Sequence, residues 1–341
     1  MSKKEESAVN LTPQQIAEML QNAVKVAINS AKGEEDSWQL ANKPFKQKSE
    51  LEKEAKRYGV LISRPKSKTD AKKELVGFKT GTFIDDLFLG EDDKPLGGIP
   101  IVGQIGIIGL SGVGKSILVQ EIALRVASEN KKVIYCTSED IWESPSSRFD
   151  LQSRMKQKAE KMGLDWENIR HNLFVFDTIS HSKLRDWSTF VETYRYIVEV
   201  LKGVDLLVID SLTLLESYRQ ALKFRLLELS RYNQLHGITG IYVCQRSEEK
   251  PDSYAVSGGQ GLIHNLDGTL CIDFAKAMST MKDDLNRKRP ASQQLKQWEP
   301  VHFMRLMACR LSGFDRTYYE VTISSDGFLH LTNEVKSNRK V

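Results

Sequence analysis

The stretch Gly109-Leu110-Ser111-Gly112-Val113-Gly114-Lys115-Ser116 restricts the fold of this chain more than any other. It fits G-x-x-x-x-G-K-[ST], the P-loop pattern. The apolar run Gln104 to Ile108 precedes it, and Ile117, Leu118, Ile122, Ala123 and Val126 follow at helical spacing, so a buried strand enters the loop and a helix leaves it. Gly112 and Gly114 let the backbone curl until successive N–H groups face a phosphate chain. Lys115 neutralises the outer phosphates, and the Ser116 hydroxyl, at the positive end of the helix, is placed to hold Mg²⁺. Gly109 to Ile117 are therefore assigned to the phosphates of a nucleotide.

The chain is long enough, at 341 residues and 40% hydrophobic, for one large core or two smaller ones. No apolar run approaches the ~20 residues that span a bilayer, and Met1 to Val9 is polar, so no membrane is expected and the expected location is the cytoplasm. Cys136, Cys244, Cys271 and Cys309 are scattered and read as free core thiols. The six histidines show no ligand spacing, so no metal held by protein alone is expected. Trp142, Trp166, Trp187 and Trp298 read as packing anchors. Residues 1–75 hold 15 Lys/Arg against 11 Asp/Glu, which places the excess of the +4 net charge in a basic arm. Within it, Leu11 to Ala31 carries an apolar helical face with Thr12 and Pro13 at its start, and residues 32–73 read as a linker or small helical appendage.

From Phe78 the texture changes. Thr80-Gly81-Thr82-Phe83-Ile84-Asp85-Asp86-Leu87-Phe88-Leu89-Gly90, then Gly97-Gly98-Ile99-Pro100, leads into the P-loop strand. This resembles the KaiC-like branch of the RecA superfamily, whose lead-in reads approximately T-G-[IF]-x-x-L-D-x-L-L-G-G-G-I-P. Two departures stand out: Glu91 to Pro95 is inserted before Gly97, and the acid and leucine around Asp85-Asp86-Leu87 are shifted.

Apolar strands are predicted at Lys132 to Thr137, Leu173 to Asp177, Val204 to Asp210 and Ile238 to Cys244, with helices at Arg148 to Met162, Trp187 to Leu201 and Arg219 to His236. This alternation predicts an α/β fold, a RecA-like P-loop NTPase with a mainly parallel sheet covered by helices on both faces. A further strand is predicted within Gly261 to Phe274, residues 281–298 read as a basic polar insertion, and Val301 to Thr332 as antiparallel hairpins with turns at Leu311 to Asp315 and Ser324 to Gly327. No internal repeat is visible, so the organisation expected is an arm at 1–75, one ATPase domain at 76–335 and a basic tail at 336–341.

Ligands of such sheets sit at the carboxyl ends of strands, which selects Glu139, Asp210 and Gln245 as neighbours of the P-loop. Asp210 closes Leu206-Leu207-Val208-Ile209 in the Walker B manner and, with Ser116, is the expected Mg²⁺ holder; a strand-end helix cap is the plainer reading. The resemblance implies a catalytic glutamate at the end of a strand taken to lie beside the P-loop strand. Glu139 is chosen as the base, with Asp140 able to share or take the role. It also implies that Gln245 senses the terminal phosphate of ATP, the alternative being a turn residue. The family brings a cation from an adjacent protomer on a hairpin reading roughly K-x-R-G. Here the matching turn is Arg310-Leu311-Ser312-Gly313, so Arg310 is the expected trans-acting cation, Ser312 stands at the arginine position, and Arg305 or Arg316 substitutes if the register slips.

Three functions follow as expectations. The first is a Mg²⁺-dependent ATPase that forms a homo-oligomer (ring, hexamer-like) and couples nucleotide state to a protein partner. The second is a recombinase-like ATPase that touches single-stranded DNA through residues 1–73 and Arg246 to Gln260. The third is a nucleotide-gated binding module or autokinase with little hydrolysis.

Overall fold

The computed structural model describes residues 75–145, 149–215, 219–246, 265–287 and 289–332. The chain divides into two units, Met1–Lys72 and Lys73–Val341. The helix expected at Leu11 to Ala31, the rest of the arm, nearly all of the Arg246 to Gln260 segment and the tail lie outside the described residues.

Nine strands of the second unit form one sheet. In chain order its members are β4 (Gln104–Gly109), β5 (Val133–Thr137), β6 (Leu173–Asp177), β7 (Leu206–Asp210), β8 (Thr239–Gln245), β9 (Gly268–Lys276), β10 (Pro300–Cys309), β12 (Tyr319–Ile323) and β13 (Leu329–Leu331). Their spatial order is β13-β12-β10-β9-β4-β8-β7-β5-β6. From β9 through β6 every pairing is parallel, and β10, β12 and β13 continue it antiparallel. Short strands β1 (Gly77–Phe78) and β3 (Ile99–Pro100) pair with each other, while β2 (Phe88–Leu89) pairs with β11 (Gly313–Phe314). That last pairing turns the expected simple turn at Leu311 to Asp315 into a docked strand.

Successive side chains of a strand point to opposite faces, and here both faces are apolar. Leu206 and Val208 join one core with Ile105, Ile107, Ile241 and Val243, beneath α1 (Lys115–Ser128), α2 (Leu151–Lys161) and α3 (Trp166–Asn172). Leu207 and Ile209 join the other, beneath α4 (Trp187–Val200) and α6 (Arg219–His236), which follows the short α5 (Leu212–Leu215). The α/β sandwich expected from the sequence is therefore the fold adopted. Residues 281–298 differ from a polar insertion. Most of α7 (Ser279–Asn286) lies there, and Met281, Leu285 and Leu295 are buried in the second core. Trp187 is buried and Trp142 and Trp166 pack on the first core, but Trp298 is 59% exposed and anchors nothing there. Cys136, Cys244 and Cys271 are buried free thiols, as read from the sequence, and Cys309 is half-buried. No helix among the described residues is long and apolar enough to cross a membrane.

Two polar knots hold the lead-in and the amino end of β4. In the lead-in, the Asp85 carboxylate accepts from Thr80 N at 2.8 Å, Thr80 Oγ1 at 2.7 Å and Gly81 N at 2.9 Å, so Asp85 closes the turn. At the amino end of β4, buried Gln104 donates to the carbonyls of Val102 and Ile238, both at 2.9 Å. Its Oε1 accepts from Asn233 Nδ2 at 3.0 Å and the Tyr242 hydroxyl at 2.7 Å. All its hydrogen-bonding capacity is thus used inside the fold. Gln104→Leu is expected to cost about 3 kcal/mol, because Asn233 and Tyr242 would each lose a partner in a dry site. Denaturant unfolding would read this as a lower midpoint, with nucleotide affinity of the folded protein unchanged.

Candidate functional site

The P-loop runs from the carboxyl end of β4 into α1. Gly109 is required by a close approach: a Cβ there would fall 1.8 Å from the Ile272 carbonyl oxygen on β9. Gly114, at φ 92°, is in the left-handed region that favours glycine, and it caps α1 without a side-chain hydrogen bond. The first N–H groups of α1 are thus left to an external acceptor, which suits an anion.

Strand alternation gathers the other groups. Gly109, Asp210 and Gln245 continue the same alternate rows as Ile107, Val208 and Val243, so they share the face covered by α1. A cavity of about 460 Å³ opens there, lined by Ser111, Gly112, Gly114, Lys115, Ser116, Ile117, Ser138, Glu139, Ser211, Val243 and Gln245. Asp210 lies under its floor, 4% exposed, its Oδ1 accepting from Ser116 Oγ at 3.0 Å and its Oδ2 from the Tyr135 hydroxyl at 2.7 Å. Burial pushes its pKa up to about 6, against the pull of those two donors. Lys115 donates to the carbonyls of Gly109 and Leu110. Burial lowers its pKa, offset in part by Glu139, Asp210 and Asp273.

The sheet order corrects one expectation. The strand that precedes Glu139, β5, is separated from β4 by both β8 and β7. Glu139 nevertheless lines the cavity, because the chain runs on past β5 across the sheet's carboxyl edge. Ser138 holds this crossing: its N–H donates to Asp210 O at 2.9 Å, its hydroxyl donates to Ser211 O at 2.8 Å, and it accepts from Ser211 N at 2.8 Å. Asp140 points elsewhere, its carboxylate 2.7 Å from Arg154. Geometry therefore brings Glu139, but not Asp140, together with the P-loop.

Arg310 sits at the other end of the sheet. It follows Cys309, which pairs with Gly268, and Gly268 pairs with Ile105 near the start of β4. Its Nε donates to the buried Asp267 carboxylate at 2.7 Å, and its N–H to the Asp267 carbonyl at 2.8 Å. The two substitutes are also engaged. Arg305 bonds the Arg316 carbonyl and the Tyr318 hydroxyl, and Arg316 lies over the Phe314 ring. Arg246, the first residue of the proposed DNA segment, is 7% exposed and forms a 2.6 Å ion pair with Asp273, so it is no surface cation.

Several residues at the site carried no sequence signal of their own. Tyr135 was the most accessible of them, since a tyrosine inside an apolar strand needs an acceptor for its hydroxyl. Lys158, with its pKa lowered to about 8 by burial, donates to the Ile117 carbonyl at 2.7 Å. His302 Nε2 lies 3.1 Å from the Val113 carbonyl within the P-loop.

A family model described as "ATPase: KaiC" matches residues 79–334. The chain belongs to the KaiC family of ATPases. Among solved structures, a KaiC-like protein from the hyperthermophilic archaeon Pyrococcus horikoshii OT3 superposes with a TM-score of 0.53 at 15% identity, covering 75% of this chain and 99% of that one. That likeness is one of fold. No curated protein sequence matches the chain.

Within a KaiC-type domain, the raised pKa of Asp210 has a measurable sign. A carboxyl whose folded pKa exceeds its unfolded value of 3.8 takes stability away as pH rises from about 4 to 6, and leaves the full deficit above that. The deficit is about 3 kcal/mol. Asp210→Asn, measured without metal or nucleotide, is therefore expected to raise the melting temperature at pH 7.5 and to change it little at pH 4. Thermal unfolding at both values checks the sign.

Proposed function

We propose that this protein is a Mg²⁺-dependent ATPase whose turnover uses Lys115, Glu139 and Gln245. The observation that carries the reading is the meeting of Glu139 and Gln245 with the P-loop around one cavity, on the face that also holds Asp210. Ser116 and Asp210 fit the metal: both offer hard oxygen ligands, already 3.0 Å apart and preorganised by Tyr135. Among the described residues no cluster of three His, Cys, Asp or Glu forms a metal cage. When bound, Mg²⁺ neutralises charge on the phosphates.

The chain supplies the rest. P-loop N–H groups and the amino end of α1 hold the phosphates, and the Lys115 ammonium moves from carbonyl acceptors to the outer phosphate oxygens. Glu139 orients a water and takes its proton as the water oxygen attacks the terminal phosphorus. The bond to the β-phosphate oxygen then breaks, leaving ADP and inorganic phosphate. Gln245 hydrogen-bonds the terminal phosphate and so reports its loss to β8.

Lys115→Ala is expected to remove ATP binding while the fold survives, because the side chain's partners are two carbonyls of the loop. Glu139→Gln should retain ATP and lose about 10²–10⁴ in turnover. Calorimetry and phosphate release measure the two, and wild-type release from either variant would end the assignment. Asp140→Asn, aimed at Arg154, should leave turnover within a few-fold of wild type.

The transition state gathers more negative charge than Lys115 covers, and the remaining cation is supplied by a second subunit of a closed oligomer. Arg310 is the candidate: its side chain is 54% exposed and lies at the opposite end of the sheet from its own P-loop, so only another subunit's site is open to it. Specific activity should rise with protein concentration. Mixing inactive Arg310→Ala and Lys115→Ala subunits should restore activity. Concentration-independent turnover would instead confine Arg310 to its ion pair with Asp267.

A further inference from the structure

The outer side of α6 carries a row of residues that the core beneath it does not use. Leu226, Leu229, Ser230 and Asn233 are buried and turn one side of the helix toward the sheet. Phe224, Glu228, Arg231 and Leu235 lie on the other side, all exposed, with Phe224 at 67% and Leu235 at 84%. Their successive spacings of four, three and four residues are those of a helix face that packs along a second helix. Leu227 and Tyr232 flank the row, half-buried, and together with Arg195 of α4 these side chains line a hollow of about 440 Å³. Tyr196 and Val200 extend the exposed apolar surface onto α4.

The order of chemistry along the row decides what fits it. From either end it runs apolar, charged, charged, apolar, with the acid nearer one end and the base nearer the other. A second copy of α6, turned about a two-fold axis between Leu229 and Ser230, runs antiparallel to the first. Phe224 and Leu235 are equally distant from that axis, and so are Glu228 and Arg231. Phe224 therefore faces Leu235 of the partner subunit, Glu228 faces Arg231 of the partner subunit, and the axis repeats both contacts. A parallel pairing would instead set acid against acid and base against base. Within one protomer the two charges are unequally served. Glu228 accepts from Arg195 at 2.6 Å, whereas Arg231 has no ion pair among the described residues. Across the axis Arg231 gains an acid, and each Glu228 lies between two guanidinium groups.

We propose that the α6 face is an isologous interface with a second copy of this chain. It draws nothing from the nucleotide site, because α6 covers the sheet face opposite α1. It also differs from the head-to-tail contact that would present Arg310. A two-fold contact closes at two, so it doubles whatever assembly the Arg310 contact builds. The apolar ends supply affinity, and the charge pairs fix direction by penalising the parallel arrangement. One helix pair at the centre places the contact at the small end of specific interfaces, and association in the roughly micromolar range is expected.

Charge reversal tests the pairing, read as the mass of the full-length chain by sedimentation and light scattering. Glu228→Arg sets guanidinium groups against one another across the axis, and Arg231→Glu does the same with carboxylates. Each variant alone should halve the mass at a concentration where the wild type associates, with ATP affinity unchanged. Mixed together, the two variants should recover the wild-type mass, because each position 228 then faces the opposite charge at position 231. Glu228→Arg also loses its contact with Arg195, but a subunit that folds poorly is not repaired by a partner of altered charge, so recovery in the mixture belongs to the interface. Single variants that keep the wild-type mass overturn the proposal, and so does a mixture that stays at half mass. A wild-type chain that sediments as one protomer at every concentration overturns it too. If Arg310→Ala lowers the mass and neither α6 variant does, self-association runs through the head-to-tail contact alone and the α6 interface is again overturned.

Discussion

A single buried carboxylate joins the loop to the sheet. Asp210 takes a hydrogen bond from Ser116, the first turn of α1, and another from Tyr135, on the neighbouring strand β5. An ionised group this deep is costly, as its pKa of about 6 records, and two donors offset only part of the cost. The position is worth occupying only for a role that needs negative charge there. In the proposed reading a divalent cation at Ser116 would supply the missing compensation, so that stability is given up where the ligand would bind. Burial likewise lowers the pKa of Lys115, and Glu139, Asp210 and Asp273 offset part of that cost.

What the sequence made legible is what local chemistry dictates. The P-loop was readable because its glycines answer to the backbone itself, Gly109 to the Ile272 carbonyl and Gly114 to a left-handed turn. Strands ending in Asp210 and Gln245 were readable because continuous apolar runs have few other uses in a chain with this alternation. The limits came where meaning depends on a neighbour far along the chain. Nothing in Lys132 to Thr137 says that β7 and β8 stand between it and β4, so Glu139 was placed beside the P-loop strand when it reaches the cavity from three strands away. Tyr135, His302 and Asp273 take their roles from partners on other strands. Their identities alone carry no such information.

The two ends of β4 illustrate why Arg310 resisted a reading from its motif. At the amino end, Asp267 accepts from Gln104 N at 2.9 Å and from Arg310 Nε at 2.7 Å, a buried acid satisfied by backbone and cation together. Removing the arginine would leave that acid short of a charged partner, so a loss of stability is expected whatever happens at a neighbouring active site. Loss of activity in Arg310→Ala is thus weak evidence for a trans-acting cation. Complementation between subunits is stronger, because a structural defect in one subunit is not repaired by pairing it with another.

Asp273 and Arg246 extend the argument from the acid at the metal position to the loop as a whole. Arg246 N donates to the Gly109 carbonyl at 2.9 Å, and its guanidinium is paired with Asp273 one residue before the stacked Phe274. One short segment of β9 thereby makes three contacts: Ile272 forces glycine at the start of the loop, Asp273 fixes the residue after Gln245, and Phe274 stacks on His302, which lies 3.1 Å from the Val113 carbonyl. Because strand neighbours alternate faces, Ile272 and Phe274 lie on the α1 side while Asp273 lies on the row of the opposite face. A change at Gln245, where the terminal phosphate would be sensed, therefore has a direct covalent and ionic route to the strand that carries the ring pair. The residue after Gln245 is thus tied to β9 by a buried ion pair, and Asp273 is the residue at which that tie would be cut.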